Sequence, residues 1–276
     1  MPRIALALEY DGGAYRGWQA QATAPSIQAE VERALSFVAD CPIAVVSAGR
    51  TDAGVHATMQ IVHFDAPVDR GTRGWVLGAS AELPPDIAVL WAQYVPDDFH
   101  ARYSALARSY RYLILNRQVR PALERSRVCW ARKPLDAAVM HAAAQCLLGE
   151  RDFSSFRAAE CQSRTPMRRM ERIDVQRVGD YLTVTVTANA FLHHMVRNIV
   201  GVLLAIGAGD RPVHWAQDVL MARDRRAGGI TAPPQGLYLA AVRYPVELAL
   251  PSEPPFGYAA ALLPSERGPR IDARGS

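Results

Sequence analysis

Alternation opens the chain. Ile4, Leu6, Leu8 and Tyr10 fall on one side of an extended segment, which predicts a half-buried strand ended by Asp11-Gly12-Gly13. Ser26 can cap a helix over 27–39, whose apolar stripe is Ile27, Val31, Leu35 and Val38. Strands are expected over 43–48 and 58–64, with the loop 49–57 between them. A weaker helix over 72–83 is closed by Pro84-Pro85, and 87–95 makes a fourth strand. The order is β-α-β-β-α-β.

The second half follows the same grammar. Large residues at alternate positions over 109–115 predict a strand, and an alanine-rich helix over 135–148 is stopped by Gly149. Strands over 172–177 and 181–188 turn at Gly179-Asp180; Leu182, Val184 and Val186 against Thr183, Thr185 and Thr187 is the cleanest alternation in the chain. A long apolar helix over 191–206, a shorter one over 215–223 and a strand over 237–242 complete a second β-α-β-β-α-β with one added helix. The repeat lies in element order only. Each half is a split β-α-β unit, so the expected class is α+β. Two ferredoxin-like halves with mainly antiparallel sheets would lie side by side, helices on the opposite face and a cleft between them. The expected boundaries are 1–103, 104–245 and a proline-rich tail, 246–276, without periodicity and read as disordered.

Composition narrows the classes. Of 276 residues, 50% are hydrophobic and 21% charged, a globular balance. No stretch reaches the roughly 20 apolar residues of a spanning helix. Glu9 and Asp11 arrive too early for a signal-peptide core, so a cytoplasmic location is expected. The cysteines Cys41, Cys129, Cys146 and Cys161 form no Cys-x-x-Cys pair, which argues against a zinc module and a disulfide framework. Net charge is +4, and Lys133 is the only lysine among 31 basic residues. Arginine-rich basicity permits a polyanionic partner without demonstrating one.

The most informative stretch runs from Ala48 to Ala57. A strand enters a loop with Gly49 and Gly54 at its ends and Asp52 in its middle, beside Arg50. Glycines admit close backbone approach and positive φ, and a neighbouring cation keeps a carboxylate ionised. Spacing alone equally fits a hairpin turn in which Asp52 bonds local backbone. His193-His194 suggests a metal, but adjacent residues on a helix diverge by about 100°, and no acidic residue is near in sequence. No metal is expected. Gly12-Gly13 lacks the spacing of a dinucleotide-binding turn.

The run Gly-Arg-Thr-Asp-Ala-Gly-Val-His-Ala at 49–57 resembles the catalytic motif of the tRNA pseudouridine synthase A family. Phe-His-Ala-Arg at 99–102, Arg-Ser-Tyr-Arg-Tyr at 108–112 and Asp-Phe-Ser-Ser-Phe at 152–156 agree with it. So do Cys-Gln-Ser-Arg-Thr at 161–165, the passage 189–201 containing His-His-Met-Val-Arg, and Gly-Leu-Tyr-Leu at 236–239. The resemblance reaches from the first strand to about Tyr244. It implies isomerisation of uridine to pseudouridine at positions 38, 39 and 40 of the tRNA anticodon stem-loop, without a cofactor, by a homodimer.

Residue roles follow from the same resemblance. Asp52 matches the nucleophile, Tyr110 the active-site tyrosine and Arg197 the arginine that pairs with the aspartate. Arg50 matches the arginine of base flipping; Leu237 is a candidate apolar wall under the base, with ordinary core as its default reading. Phe99, His100, Ala101, Arg102 and Tyr103, with Glu160, Cys161, Gln162, Ser163 and Arg164, match stretches that contact tRNA; Arg70 is a weaker candidate. The dense arginines from Arg102 to Arg127 with interleaved tyrosines suit phosphate binding. Two rivals remain. A non-catalytic binder of structured RNA would carry exposed aromatics and no carboxylate aimed at a polyanion. A glycosidase would need a second carboxylate across the site.

Overall fold

The computed structural model describes residues 1–161 and 163–251. Gln162 and most of the expected tail, 252–276, lie outside the described residues. The opening alternation forms β1 (Arg3–Tyr10), and Ser26 caps α1 (Ile27–Ala39), its hydroxyl accepting from the Ala29 amide. β2 (Val46–Ser47), β3 (His56–Asp65), α2 (Gly71–Glu82) and β4 (Ile87–Val95) complete the first half. The second half contains β5 (Ala107–Asn116), β6 (Cys129–Ala131), α3 (Ala137–Ala144), β7 (Gly149–Asp152), β8 (Met167–Val178) and β9 (Tyr181–Ala188). α4 (Met195–Gly207), α5 (Trp215–Ala222) and β10 (Leu237–Arg243) follow.

The halves do not keep separate sheets. Their strands join into one mixed, mainly antiparallel sheet in the order β4-β1-β3-β10-β5-β9-β8-β7, with β2 added to β3 and β6 to β5. The join is β10: it runs antiparallel to β5 and parallel to the start of β3, pairing Tyr238 with His56 and Leu239 with Ala57. The second strand, expected over 43–48, is short: only Val46 and Ser47 pair with β3, opposite His63 and Val62, with one further bond from Ala48 N to the Ile61 carbonyl at 2.7 Å. A continuous core of Ile4, Leu6, Leu8, Leu35, Phe64, Tyr112, Val184, Ile199 and Leu203 runs through both halves.

Several expectations differ for local reasons. The expected helix over 191–206 begins only at Met195, because His194 takes a left-handed φ of 60° that breaks helical continuation. β6 and β7 escaped the hydrophobic pattern; β7, Gly-Glu-Arg-Asp, has no apolar face to reveal it. Val246–Leu248 forms a 3-10 turn, and Leu248 and Leu250 pack against the core, so order continues past the expected start of the tail. No helix among the described residues is long and apolar enough to cross a membrane.

Candidate active site

The loop before β3 is held from beneath at nearly every step. Gln60 on β3 donates to the Gly49 carbonyl at 2.6 Å, and Tyr10 on β1 shares a 2.8 Å hydrogen bond with the Thr51 hydroxyl. Trp18 N donates to the Thr51 carbonyl at 3.0 Å, and Val55 N closes the turn on the Asp52 carbonyl at 3.1 Å. Gly54 needs its glycine, with φ +75° and Pro234 against the face where a Cβ would stand. Gly49 does not, because a Cβ there would meet only the Tyr110 hydroxyl, at 3.7 Å. At the exit His56, 1% exposed, accepts from Gly12 N at 3.0 Å through Nδ1, while Nε2 faces the Ser126 and Gln235 carbonyls. A braced loop of this kind puts its apex residue in one place, and that residue is Asp52.

Asp52 is open to solvent but surrounded by cationic and titratable groups. Its side chain is 22% exposed, and Arg197 Nη1 donates to Oδ2 at 3.2 Å. Arg197 sits in the first turn of α4 and is steadied by its own Nε, which donates to the Ala232 carbonyl at 2.8 Å. That carbonyl can lie so near because Gly201 leaves room for the 228–232 segment; a Cβ there would fall 1.9 Å from the Ile230 oxygen. His193 Nε2 stands 3.3 Å from Asp52 Oδ1, and His194 Nε2 3.4 Å from Oδ2. Burial pushes the His194 pKa down; Asp52 opposes this, and His193 and Arg197 reinforce it. Tyr110 on β5 packs edge-to-face with Phe191 at 4.9 Å between ring centroids. Burial, aided by the Asp52 charge, pushes its phenol up to about 12, so the hydroxyl enters neutral.

The structure corrects the treatment of the two histidines. They are not on a helix, and a carboxylate is close: Asp52, 141 positions away in sequence from His193, lies between their Nε2 atoms. One donor atom from each of the three falls within 4.8 Å of the others, the spacing of a metal cluster. The Arg197 guanidinium already neutralises the same carboxylate, however, and a dication would have to bind against it. The set suits an anion held by donors better than a resident metal.

The remaining candidates divide. Arg50 is exposed beside Asp52 and, among the described residues, has no hydrogen-bond or ion-pair partner; the carboxylate belongs to Arg197 instead. Leu237 is buried at the start of β10, paired with Tyr112. In the segment 99–103 the structure buries Phe99 and Ala101, whose side chains therefore pack rather than face a ligand. Tyr103 is 75% exposed, His100 stacks on it at 4.3 Å, and the Arg102 guanidinium lies 5.6 Å over its ring. Cys161 is likewise buried, while Glu160, Ser163 and Arg164 reach the surface. Cys161 docks its segment on the histidine turn, its Sγ accepting from His193 N at 3.5 Å. Arg70 lies past the far end of β3, whose ten residues separate it from the Asp52 loop by roughly 30 Å. Arg108, read in the sequence as part of the basic run suited to phosphate binding, is instead buried on β5 alongside Tyr110 and Tyr112, its guanidinium turned to backbone carbonyls; a charge where alternation demands core was the overlooked signal.

Comparison with known proteins agrees with this geometry. A family model described as tRNA pseudouridine synthase matches residues 6–104 and 143–245. A protein of Coxiella burnetii named tRNA pseudouridine synthase A is 55% identical over 254 residues, 92% of this chain and 97% of its own length. One of Legionella pneumophila with the same name is 56% identical over 248 residues, 90% of this chain and 95% of its own. Matched over most of its length and carrying an accessible, arginine-paired aspartate at the seam of its sheet, the chain belongs to the tRNA pseudouridine synthase family.

Proposed function

We propose that the chain converts uridine to pseudouridine at positions 38, 39 and 40 of the tRNA anticodon stem-loop, with Asp52 as nucleophile. Pseudouridine formation in tRNA, an isomerisation, is the activity of the family. The reaction breaks the N1–C1′ bond, forms C5–C1′, gives the C5 proton to water and returns a proton to N1. Nothing is oxidised and no atom is added, so the chemistry calls for no cofactor. It does call for a group that bonds the nucleoside transiently while the base turns, and a carboxylate both attacks and leaves readily. Asp52 has the required access at 22% exposure, and the Arg197 guanidinium pairs with it at 3.2 Å. That exposed, paired carboxylate carries the reading.

The target base must leave its stack to reach Asp52. Arg50, exposed and unpartnered among the described residues, takes its place in the helix. Tyr110 lies against the extruded uracil as a neutral phenol able to relay the C5 proton, and Leu237 supplies an apolar wall. His100, Arg102 and Tyr103, with Glu160, Ser163, Arg164 and the distant Arg70, form the RNA-facing surface. The working form is a homodimer in the cytoplasm, with tRNA as its partner.

Unmodified tRNA tritiated at uracil C5 tests the reading. Wild type should release tritium to water, and Asp52→Asn should bind tRNA normally and release none. Undiminished release from Asp52→Asn removes the nucleophile assignment. Arg50→Ala should lower turnover far more than affinity; equal losses would make Arg50 a phosphate contact.

A further inference from the structure

Arg108 points inward from β5, on the side of Tyr110 and Tyr112, and is 9% exposed. No carboxylate among the described residues pairs with it. Its guanidinium instead donates to four backbone carbonyls from separate parts of the chain. Nε and Nη2 reach Ala48 O at 3.3 and 3.0 Å, Nη1 reaches Ala105 O at 3.3 Å and Asn189 O at 3.0 Å, and Nη2 also reaches Arg102 O. Ala48 is the last residue before the Asp52 loop. Arg102 and Ala105 hold the segment that displays Tyr103. Asn189 begins the turn that delivers His193, His194 and Arg197.

A buried guanidinium without a counter-ion is an expensive choice for a strand, where an aliphatic side chain would pack at less cost. What it provides is five donors in a fixed plane. Carbonyls from three converging segments point at one buried guanidinium, and no neutral side chain offers enough donors for them. Two further bonds hold the same segment: Tyr244 donates to Ala101 O at 2.7 Å, and Ala101 N donates to His63 Nδ1 at 3.1 Å.

We propose that Arg108 is a positioning residue of the active centre, fixing the 99–105 segment, the stem of the Asp52 loop and the entry to the histidine turn in one geometry. RNA gripped by the first is thereby presented to the nucleophile on the second and to Arg197 beyond the third. The inference rests on the reading of Asp52 as the reactive group. The Arg108 charge adds an electrostatic effect, drawing the buried Tyr110 phenol back toward ionisation.

The test compares Arg108→Lys and Arg108→Met with wild type for single-turnover tritium release, tRNA affinity, melting temperature and amide hydrogen exchange. Arg108→Lys keeps the charge but not the planar fork. It should lose about 10- to 100-fold in turnover at saturating tRNA, the scale of a small misplacement, while affinity stays within about threefold. Exchange should quicken together at residues 48–55 and 99–105, with β1, β8 and β9 unchanged. Arg108→Met should lose more turnover than Arg108→Lys. Unchanged turnover in Arg108→Lys overturns the proposal, as does a loss in which turnover, affinity and melting temperature fall in parallel. Failure of wild type itself to release tritium would overturn the underlying reading of Asp52 and not Arg108 alone.

Discussion

Tyr110 and Asp52 show how neighbouring groups divide their work. The Asp52 carboxylate pairs with Arg197 at 3.2 Å, and its charge, added to burial, pushes the Tyr110 phenol up to about 12. Near neutrality Tyr110 therefore offers a neutral hydroxyl near the carboxylate. Tyr110→Phe preserves the edge contact with Phe191 and deletes only the hydroxyl. It should lower single-turnover tritium release by about 100-fold or more, the range of a lost acid–base group, with tRNA affinity nearly unchanged. Release within a few-fold of wild type would restrict Tyr110 to stacking. Asp52 and Tyr110 were legible from a motif. The closeness of His193 and His194 to the carboxylate was not, because it depends on a left-handed residue that stops α4 short of them.

At the scale of elements, β3 steadies two separate segments from its two ends. Its first residue anchors the exit of the Asp52 loop, and near its last turn His63 holds Ala101. His63 accepts from that amide, so the bond requires an unprotonated Nδ1. Burial, with Arg3 and His100 nearby, lowers its pKa from 6.5 to about 4; Asp65 and a bond to the Val46 backbone oppose the shift. The unfolded chain therefore takes up this proton first. The stabilisation is complete above about pH 6.5 and is lost as pH falls from there toward 4, at no more than about 1.4 kcal/mol per unit. His63→Gln, which can still accept from Ala101, should flatten melting temperature against pH over that interval. Equal slopes in variant and wild type would exclude His63 as their source. Strand identities here came readily from alternation, as in β1 and β9. The short β2 did not, since periodicity does not say where pairing with a partner strand stops.

For the molecule as a whole, one strand near the end of the described chain makes two halves into a single sheet. β10 pairs with β3 through residues about 180 positions apart in sequence, and the Asp52 loop, Tyr110 and Leu237 all gather at that seam. The surface carries Arg50, Arg102 and Arg164 exposed, within a chain of net charge +4. Binding of tRNA should weaken steeply with salt as phosphate counter-ions are released. Arg102→Gln should reduce the slope of log affinity against log salt by roughly one. An unchanged slope would place Arg102 off the RNA path.

By itself the sequence determined what is local or motif-borne. Strand and helix periods, the cap at Ser26, the loop bearing Asp52 and the family all follow from residues adjacent or nearly adjacent in the chain. Tertiary structure alone decided which edges meet, that two split β-α-β units share one sheet, and that Arg108 gathers carbonyls from distant segments. The physical reason is that periodicity reports which side of an element is apolar but not which partner covers it. A buried donor reveals its purpose only when the acceptors converging on it are known.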